Sequence, residues 1–221
     1  MKLKIEGLSA GYDKDFVIKD LSLSVNQGEF LSLLGPSGCG KTTLMKAVAG
    51  ILPAQGGRIL LDGEDITGLP IHKRGTVIVF QDMRLFPHMT VEENVAFPLK
   101  MQGKLNTENG KEKVEHMLNV IGLESFRDDY PGQLSGGMAQ RVALVRTLIS
   151  QPEILLLDEP LGALDAFTRM NMQDEILAMW KERKQLALMV THDVDEAIYM
   201  GTRVIVMDAN PGRIIADIKI E

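Results

Sequence analysis

Gly35-Pro36-Ser37-Gly38-Cys39-Gly40-Lys41-Thr42-Thr43 is the stretch on which the reading of this chain turns. It meets the pattern G-x-x-x-x-G-K-[ST] at every required position. The run before it, Glu29-Phe30-Leu31-Ser32-Leu33-Leu34, reads as a buried strand, and Thr43-Leu44-Met45-Lys46-Ala47-Val48-Ala49 reads as the opening of a helix. A phosphate tail needs many donors and little steric bulk. Gly35, Gly38 and Gly40 let backbone N–H groups face inward, and a helix N-terminus adds partial positive charge. Lys41 is placed to reach β- and γ-phosphates, and Thr42 to offer its hydroxyl to Mg²⁺.

Working outward, the chain has 221 residues, of which 45% are hydrophobic, so it can bury a real core in one large domain or two small ones. A net charge of −6 argues against a nucleic-acid-binding surface as the main business. Cys39 is the single cysteine, so no intrachain disulfide forms, which fits a reducing compartment. It reads either as a small residue tolerated in the loop or as a thiol open to oxidation beside the nucleotide. Met1-Lys2-Leu3-Lys4-Ile5-Glu6 is a charged alternating run, so no secretory leader is expected. No apolar stretch reaches the ~20 residues that span a bilayer, so any membrane span is expected from another chain.

Alternation at Leu3, Ile5 and Gly7, and again at Leu21, Leu23 and Val25, predicts two opening strands, with a turn over Ser9–Asp13 between them. Gly56-Gly57 leads into a strand to Asp62, and the β-branched run from Gly75 to Phe80 predicts another. From about Met89 to Ser150 the signals become helical, with Leu105–Gly110 as a polar connector. Strands resume at Ile154–Asp158, Leu186–Val190, Arg203–Met207 and Arg213–Ile220, with a helix over Phe167–Lys184. The expected fold class is α/β: a mostly parallel sheet with helices on both faces, an N-terminal antiparallel β layer and an inserted helical subdomain. Residues 1–85 and 151–221 are assigned to the nucleotide-binding core and 86–150 to the helical subdomain.

Hydrolysis needs a held metal, an oriented water and a sensor of the γ-phosphate. Asp158 ends an apolar strand, where open α/β sheets place their ligand sites, and is a candidate Mg²⁺ ligand. Glu159 follows it as a candidate for polarising the attacking water. Gln81 ends another strand; its amide is a candidate contact for metal or water. His192 follows the Leu186–Val190 strand and is placed to reach a γ-phosphate, whereas His72, His88 and His116 read as surface or packing residues. In Leu134-Ser135-Gly136-Gly137-Met138-Ala139-Gln140-Arg141, Ser135 is predicted to N-cap a helix opened by Gly136 and Gly137. That gives a second phosphate-facing helix end. One ATP has one phosphate tail, already held by the first loop, so the second end makes best sense facing the ATP of another subunit.

Together these residues resemble the ATP-binding cassette (ABC) transporter ATPases over nearly the whole chain. The loop at 35–43 is similar to that family's Walker A motif, Gln81 to its Q-loop, and Leu134–Gly137 to its signature. Ile154–Glu159 is similar to Walker B with the catalytic glutamate, Ala163-Leu164-Asp165 to the D-loop, and His192 to the H-loop. Tyr12 is similar to the aromatic that stacks on adenine. Met138 stands where glutamine is commonest. That methionine, the Asp158–Arg169 run and Asn210-Pro211-Gly212-Arg213 look like importers of sulfonates, taurine and nitrate. Leu85–Val95 looks more like polyamine or ferric-iron importers, whose usual C-terminal regulatory domain is not expected here. The resemblance implies an importer ATPase: two copies, a homodimer for choice, sandwiching two Mg-ATP at the cytoplasmic face of the membrane and driving a separate permease fed by a solute-binding protein. Phe86, Pro87 and Met89 are candidates for the contact with that permease, the alternative being core packing of the helical subdomain. A regulatory or mechanical ABC ATPase that moves no solute carries the same motifs and is the alternative reading.

Overall fold

A computed structural model describes residues 2–12, 15–79, 85–150, 152–162, 164–209 and 211–220, apart from the side chains of Glu108 and Thr168. Its contacts divide into two compact units: Met1–Ile78 with Glu153–Pro160 and Met179–Glu221, and Val79–Pro152 with Leu161–Ala178. The second unit therefore includes a late segment, Leu161–Ala178, which the sequence reading groups with the core.

The first unit holds the sheets. Strands β1 (Leu3–Tyr12), β2 (Asp15–Val25), β4 (Gly56–Leu61) and β5 (Glu64–Asp65) form an antiparallel sheet in the order β2-β1-β4-β5. The larger sheet runs β10-β9-β3-β8-β7-β6, from β3 (Phe30–Leu34), β6 (Thr76–Val79), β7 (Ile154–Asp158), β8 (Leu186–Thr191), β9 (Arg203–Asp208) and β10 (Arg213–Lys219). β3, β7, β8 and β9 are parallel to one another, and β10 returns antiparallel along β9. All six residues of β8 are buried, as expected of a strand covered on both faces.

Helix α1 (Lys41–Ala49) carries the core of this unit. Leu44, Met45, Ala47 and Val48 share one apolar cluster with Leu3, Ile5 and Leu8 of β1 and with Leu186, Leu188 and Val190 of β8. At about 25 cal/mol per Å² of apolar surface removed from water, that two-sided burial is what holds so short a helix, since nine residues alone are marginal.

Two local expectations are corrected. Ser9–Tyr12 is not a turn but the end of β1, paired with β2 as far as Tyr12↔Asp15. Gly11 is there because the partner strand comes close: a Cβ would stand 1.9 Å from the Asp15 carbonyl oxygen. A register shift between Ile5 and Leu8, with Gly7 at φ +57°, keeps Leu8 and Ala10 on the buried face. The polar connector at Leu105–Gly110 ends early, because Thr107 caps α3 (Glu108–Val120) by accepting from Gly110 N–H at 3.1 Å.

The second unit is mostly helical, with α2 (Val91–Met101), α3 and α4 (Gly136–Leu148). Thr90 opens α2 with a full capping box, its hydroxyl accepting from Glu93 N–H while Glu93 accepts from Thr90 N–H. Helix α5 (Ala166–Arg183) contributes its residues up to Ala178 to this unit; α6 (Val194–Met200) belongs to the first.

Candidate functional site

The loop between β3 and α1 has the backbone its glycines imply. Gly38 and Gly40 lie at φ +81° and +97°, the left-handed region that L side chains rarely adopt. A Cβ on Gly40 would stand 2.9 Å from Ile18 Cγ1, whereas one on Gly38 would meet nothing within 4 Å. Gly40 is thus pinned from below by β2, while Gly38 faces open space where a ligand can approach the backbone. Cys39 is fully buried, so the reading as a small residue tolerated in the loop holds over that of an exposed thiol.

Lys41 opens α1 and is only 6% exposed. Its Nζ donates to the carbonyl oxygens of Gly35 at 2.6 Å and Pro36 at 3.0 Å, so the ammonium is held against the loop that would carry phosphate. The next residue, Thr42, donates its hydroxyl to Asp158 Oδ1 at 2.9 Å. Asp158 is the last residue of β7 and half-buried. Burial is the largest influence on its carboxyl and raises its pKa; the Thr42 hydrogen bond, Lys46 and Lys41 pull it down, and neighbouring Glu159 pushes it further up. A hydroxyl and a carboxylate at hydrogen-bond distance, in a partly desolvated site beside two lysines, are the hard oxygen donors that Mg²⁺ prefers.

Glu159 follows β7 at φ +47°, a strained value for a residue with a side chain. Its N–H donates to the Val190 carbonyl of β8 at 3.1 Å, which fixes this conformation at the sheet edge. Glu159 Oε2 lies 3.4 Å from Nδ1 of His192, whose side chain is 64% exposed. Asp193 accepts from Glu196 N–H and caps α6, holding the segment that carries His192. Tyr12 is half-exposed at the end of the β1–β2 hairpin, with its Oη 3.5 Å from Lys46 Nζ on α1. The first unit therefore brings together the 35–43 loop, Tyr12, Asp158, Glu159 and His192.

Ser135, Gly136 and Gly137 belong to the second unit. Ser135 is the N-cap, accepting from Met138 N–H at 3.3 Å, and both it and Gly136 are exposed. A Cβ on Gly136 would meet nothing within 4 Å, so the start of α4 is an open helix end. Gln81 and Ala163 lie outside the described residues.

A family model described as ABC transporter matches residues 18–162, more than half of the chain. The chain belongs to this family. Among its relatives, the aliphatic sulfonates import ATP-binding protein SsuB of Bacillus cereus is 44% identical over 218 residues, covering 97% of this chain and 84% of the relative. The ABC transporter ATP-binding protein MJ0412 of Methanocaldococcus jannaschii is 45% identical, over 100% of this chain and 83% of that one. The spermidine/putrescine import ATP-binding protein PotA of Mannheimia succiniciproducens is 46% identical over 93% of this chain but only 55% of its own. A solved dimeric structure of a post-hydrolysis state of the ATP-binding cassette MJ0796, bound to ADP and Pi, superposes with a TM-score of 0.83 at 29% identity, covering 99% of each chain. The α/β fold expected from the motifs is the fold of this family.

Sequence reasoning missed Asn94. It is completely buried on α2, accepts from Phe86 N–H at 2.9 Å, and donates to the carbonyls of Phe86, Met89 and Thr90. Arg146 of α4 donates to Asn94 Oδ1 at 3.2 Å and stacks 4.8 Å from the Phe86 ring centre. The Phe86–Thr90 loop is thus built rigidly from within its own unit. Asn94 carries no sequence signal, because an asparagine on a helix reads as a solvated polar residue.

Proposed function

We propose that this ABC-family chain is the ATP-hydrolysing subunit of an importer, a peripheral protein at the cytoplasmic face of the membrane. The observation that carries the reading is the Thr42–Asp158 hydrogen bond, which joins the end of β7 to the first turn of a helix preceded by a phosphate-type loop. In this reading residues 35–43 wrap the phosphates by their backbone N–H groups. Lys41 exchanges its carbonyl partners for β- and γ-phosphate oxygens. Tyr12 stacks on the adenine. Thr42 and Asp158 hold Mg²⁺, with Gln81; the metal supplies charge neutralisation between the phosphates when bound. Glu159 orients and polarises the attacking water, and His192 reaches the γ-phosphate.

Ser135, Gly136 and Gly137 serve the nucleotide of a second copy, so that two chains enclose two ATP. The resemblance to a dimeric cassette bound to ADP and Pi favours this arrangement. The subdomain division at residues 86 and 150 is part of the same proposal, since it sets the signature on a body of its own. No helix among the described residues is long and apolar enough to cross a membrane; in this proposal separate permease subunits supply the span. Phe86, Pro87 and Met89 are proposed to meet them: Pro87 is exposed, and Met89 lines a cleft of about 210 Å³ with Glu93, Ala96, Phe97, Lys100 and Leu105. The import function is favoured by relatives named for sulfonate and polyamine uptake.

Glu159→Gln tests the reading. It keeps size and removes the base, so Mg-ATP should still bind while hydrolysis falls. The variant should form an ATP-dependent dimer on size exclusion, while the wild type stays mainly monomeric as it turns ATP over. Wild-type turnover in the variant would remove Glu159 from the chemistry; loss of turnover without any dimer would defeat the sandwich for the isolated subunit.

A further inference from the structure

We infer that Arg74 is a positioning residue for the phosphate loop, acting through the far end of α1; the inference rests on the nucleotide site proposed above. Arg74 is only 4% exposed. Its guanidinium donates to four backbone carbonyls: Leu69 at 2.8 Å, Thr67 at 2.6 Å, Ala47 at 2.9 Å and Val48 at 3.2 Å. Burial lowers its pKa, which means the charge is held in a partly desolvated place by dipoles. Ala47 and Val48 lie in the last turn of α1, where the helix dipole is negative; the Ala47 carbonyl also accepts from the capping Gly50 N–H at 3.1 Å, so Arg74 is its second donor.

The geometry around the guanidinium is built to admit it. Gly50 ends α1 at φ +82°, and a Cβ there would stand 2.5 Å from Arg74 Nε. The other two carbonyls belong to a loop that is itself anchored. Thr67 accepts from Ile59 N–H of β4 at 2.8 Å and donates to Asp65 Oδ1 at 2.6 Å. Arg74 therefore ties the C-terminal end of α1 to the antiparallel sheet. The other end of the same helix carries Lys41 and Thr42. Nine residues at 1.5 Å rise make a stiff rod of about 13 Å, so fixing one end restricts the swing of the other. A misplacement of about 1 Å caused by a change far from the chemistry can cost a reaction as much as 10²-fold, which shows how far a remote anchor can reach. Arg74 touches no phosphate; it sets where the phosphate donors stand.

The test is the ratio of ADP to AMP affinity, measured by titration calorimetry on the full chain with Mg²⁺ at low temperature. A loss of folded protein lowers both affinities alike and leaves the ratio unchanged; a displaced loop weakens the β-phosphate contacts selectively. Arg74→Met should reduce the wild-type preference for ADP by about tenfold, within the range for a misplaced group. Arg74→Lys keeps the charge but reaches fewer of the carbonyls, so it should fall between; it also decides the matter if the Met variant fails to fold. An unchanged ratio in the folded variants overturns the inference. A wild type without preference for ADP over AMP overturns the nucleotide reading instead.

Discussion

Replacing Glu159 by glycine should separate what this residue costs the fold from what it gives the chemistry. Its φ of +47° puts a side-chain-bearing residue in the left-handed region, a strain of about 1–2 kcal/mol. Glycine removes that strain, but the freer unfolded chain takes back about 0.4–1 kcal/mol. The contact with His192, at 3.4 Å and with the imidazole mostly exposed, adds little, as surface ion pairs do. The balance predicts that Glu159→Gly is between neutral and about 1.5 kcal/mol more stable than wild type, a rise of up to about 3–6 °C in Tm for a chain this long. Glu159→Gln retains the strained φ and should stay within about 0.5 kcal/mol of wild type, as substitutions outside the core usually do. Both should lose about 10²–10⁴-fold in turnover, the worth of a general base. Thermal unfolding by circular dichroism without nucleotide, alongside phosphate release with Mg-ATP, measures the two effects. A Gly variant clearly less stable than the Gln variant would refute the strain argument. Normal turnover in either would refute the catalytic one.

Lys41→Ala should abolish detectable hydrolysis and sharply weaken Mg-ATP binding, because Lys41 is the cation held against the loop by the Gly35 and Pro36 carbonyls; calorimetry and phosphate release check both. Ser135→Arg should leave ATP binding by a monomer intact yet block hydrolysis, and mixing it with Lys41→Ala should restore roughly one working site per dimer where sites fire singly. Asp158→Asn should weaken Mg-dependent nucleotide binding while raising stability at neutral pH in metal-free buffer. The sign follows from the raised pKa: the folded carboxyl binds its proton more tightly than the unfolded one. Stability therefore falls as pH rises from the unfolded pKa through the raised folded one, and the Asn variant removes that loss. Urea unfolding at pH 4 and pH 7, in wild type and variant, measures it.

The elements that were legible are those where an apolar run meets a functional residue. β3, β7 and β8 follow from continuous hydrophobic stretches that end at Gly35, Asp158 and the Thr191-His192 pair. Elements whose evidence is long-range were not. Ser9–Tyr12 has turn-like composition, and only the close approach of β2 across Gly11 makes it strand. Arg74 follows His72 and Lys73 in a charged stretch, yet it is buried because four carbonyls converge on it, two from the nearby Thr67–Leu69 segment and two from the end of α1. Asn94 is hidden for the same reason. A polar side chain that satisfies backbone groups leaves no periodicity; its partners are chosen by the fold.

Register explains why the proposed site can be assembled from residues so far apart in the chain. β3, β8 and β7 are neighbours in the sheet and parallel, so their C-terminal ends lie along one edge. Leu34 stands opposite Thr191, and Asp158 opposite Val190. The phosphate loop, the two carboxylates and His192 each begin within a residue or two of those pairs. Such strands are apolar on both faces, and alternation then says nothing about register, because a slip by one residue exchanges one buried face for another. What distinguishes the correct register is the polar end. A slip of β7 would turn Asp158 away from Thr42, losing a hydrogen bond to a half-buried carboxylate, and would take Glu159 from the Val190 carbonyl. The residues proposed for chemistry thus also set the alignment of the strands that carry them. Ser135 is outside this economy. It opens a helix in the other unit, capped by its own hydroxyl and exposed, and a Cβ on Gly136 after it would meet nothing within 4 Å. In the proposed two-chain arrangement that open helix end is where the nucleotide brought by the other copy would approach.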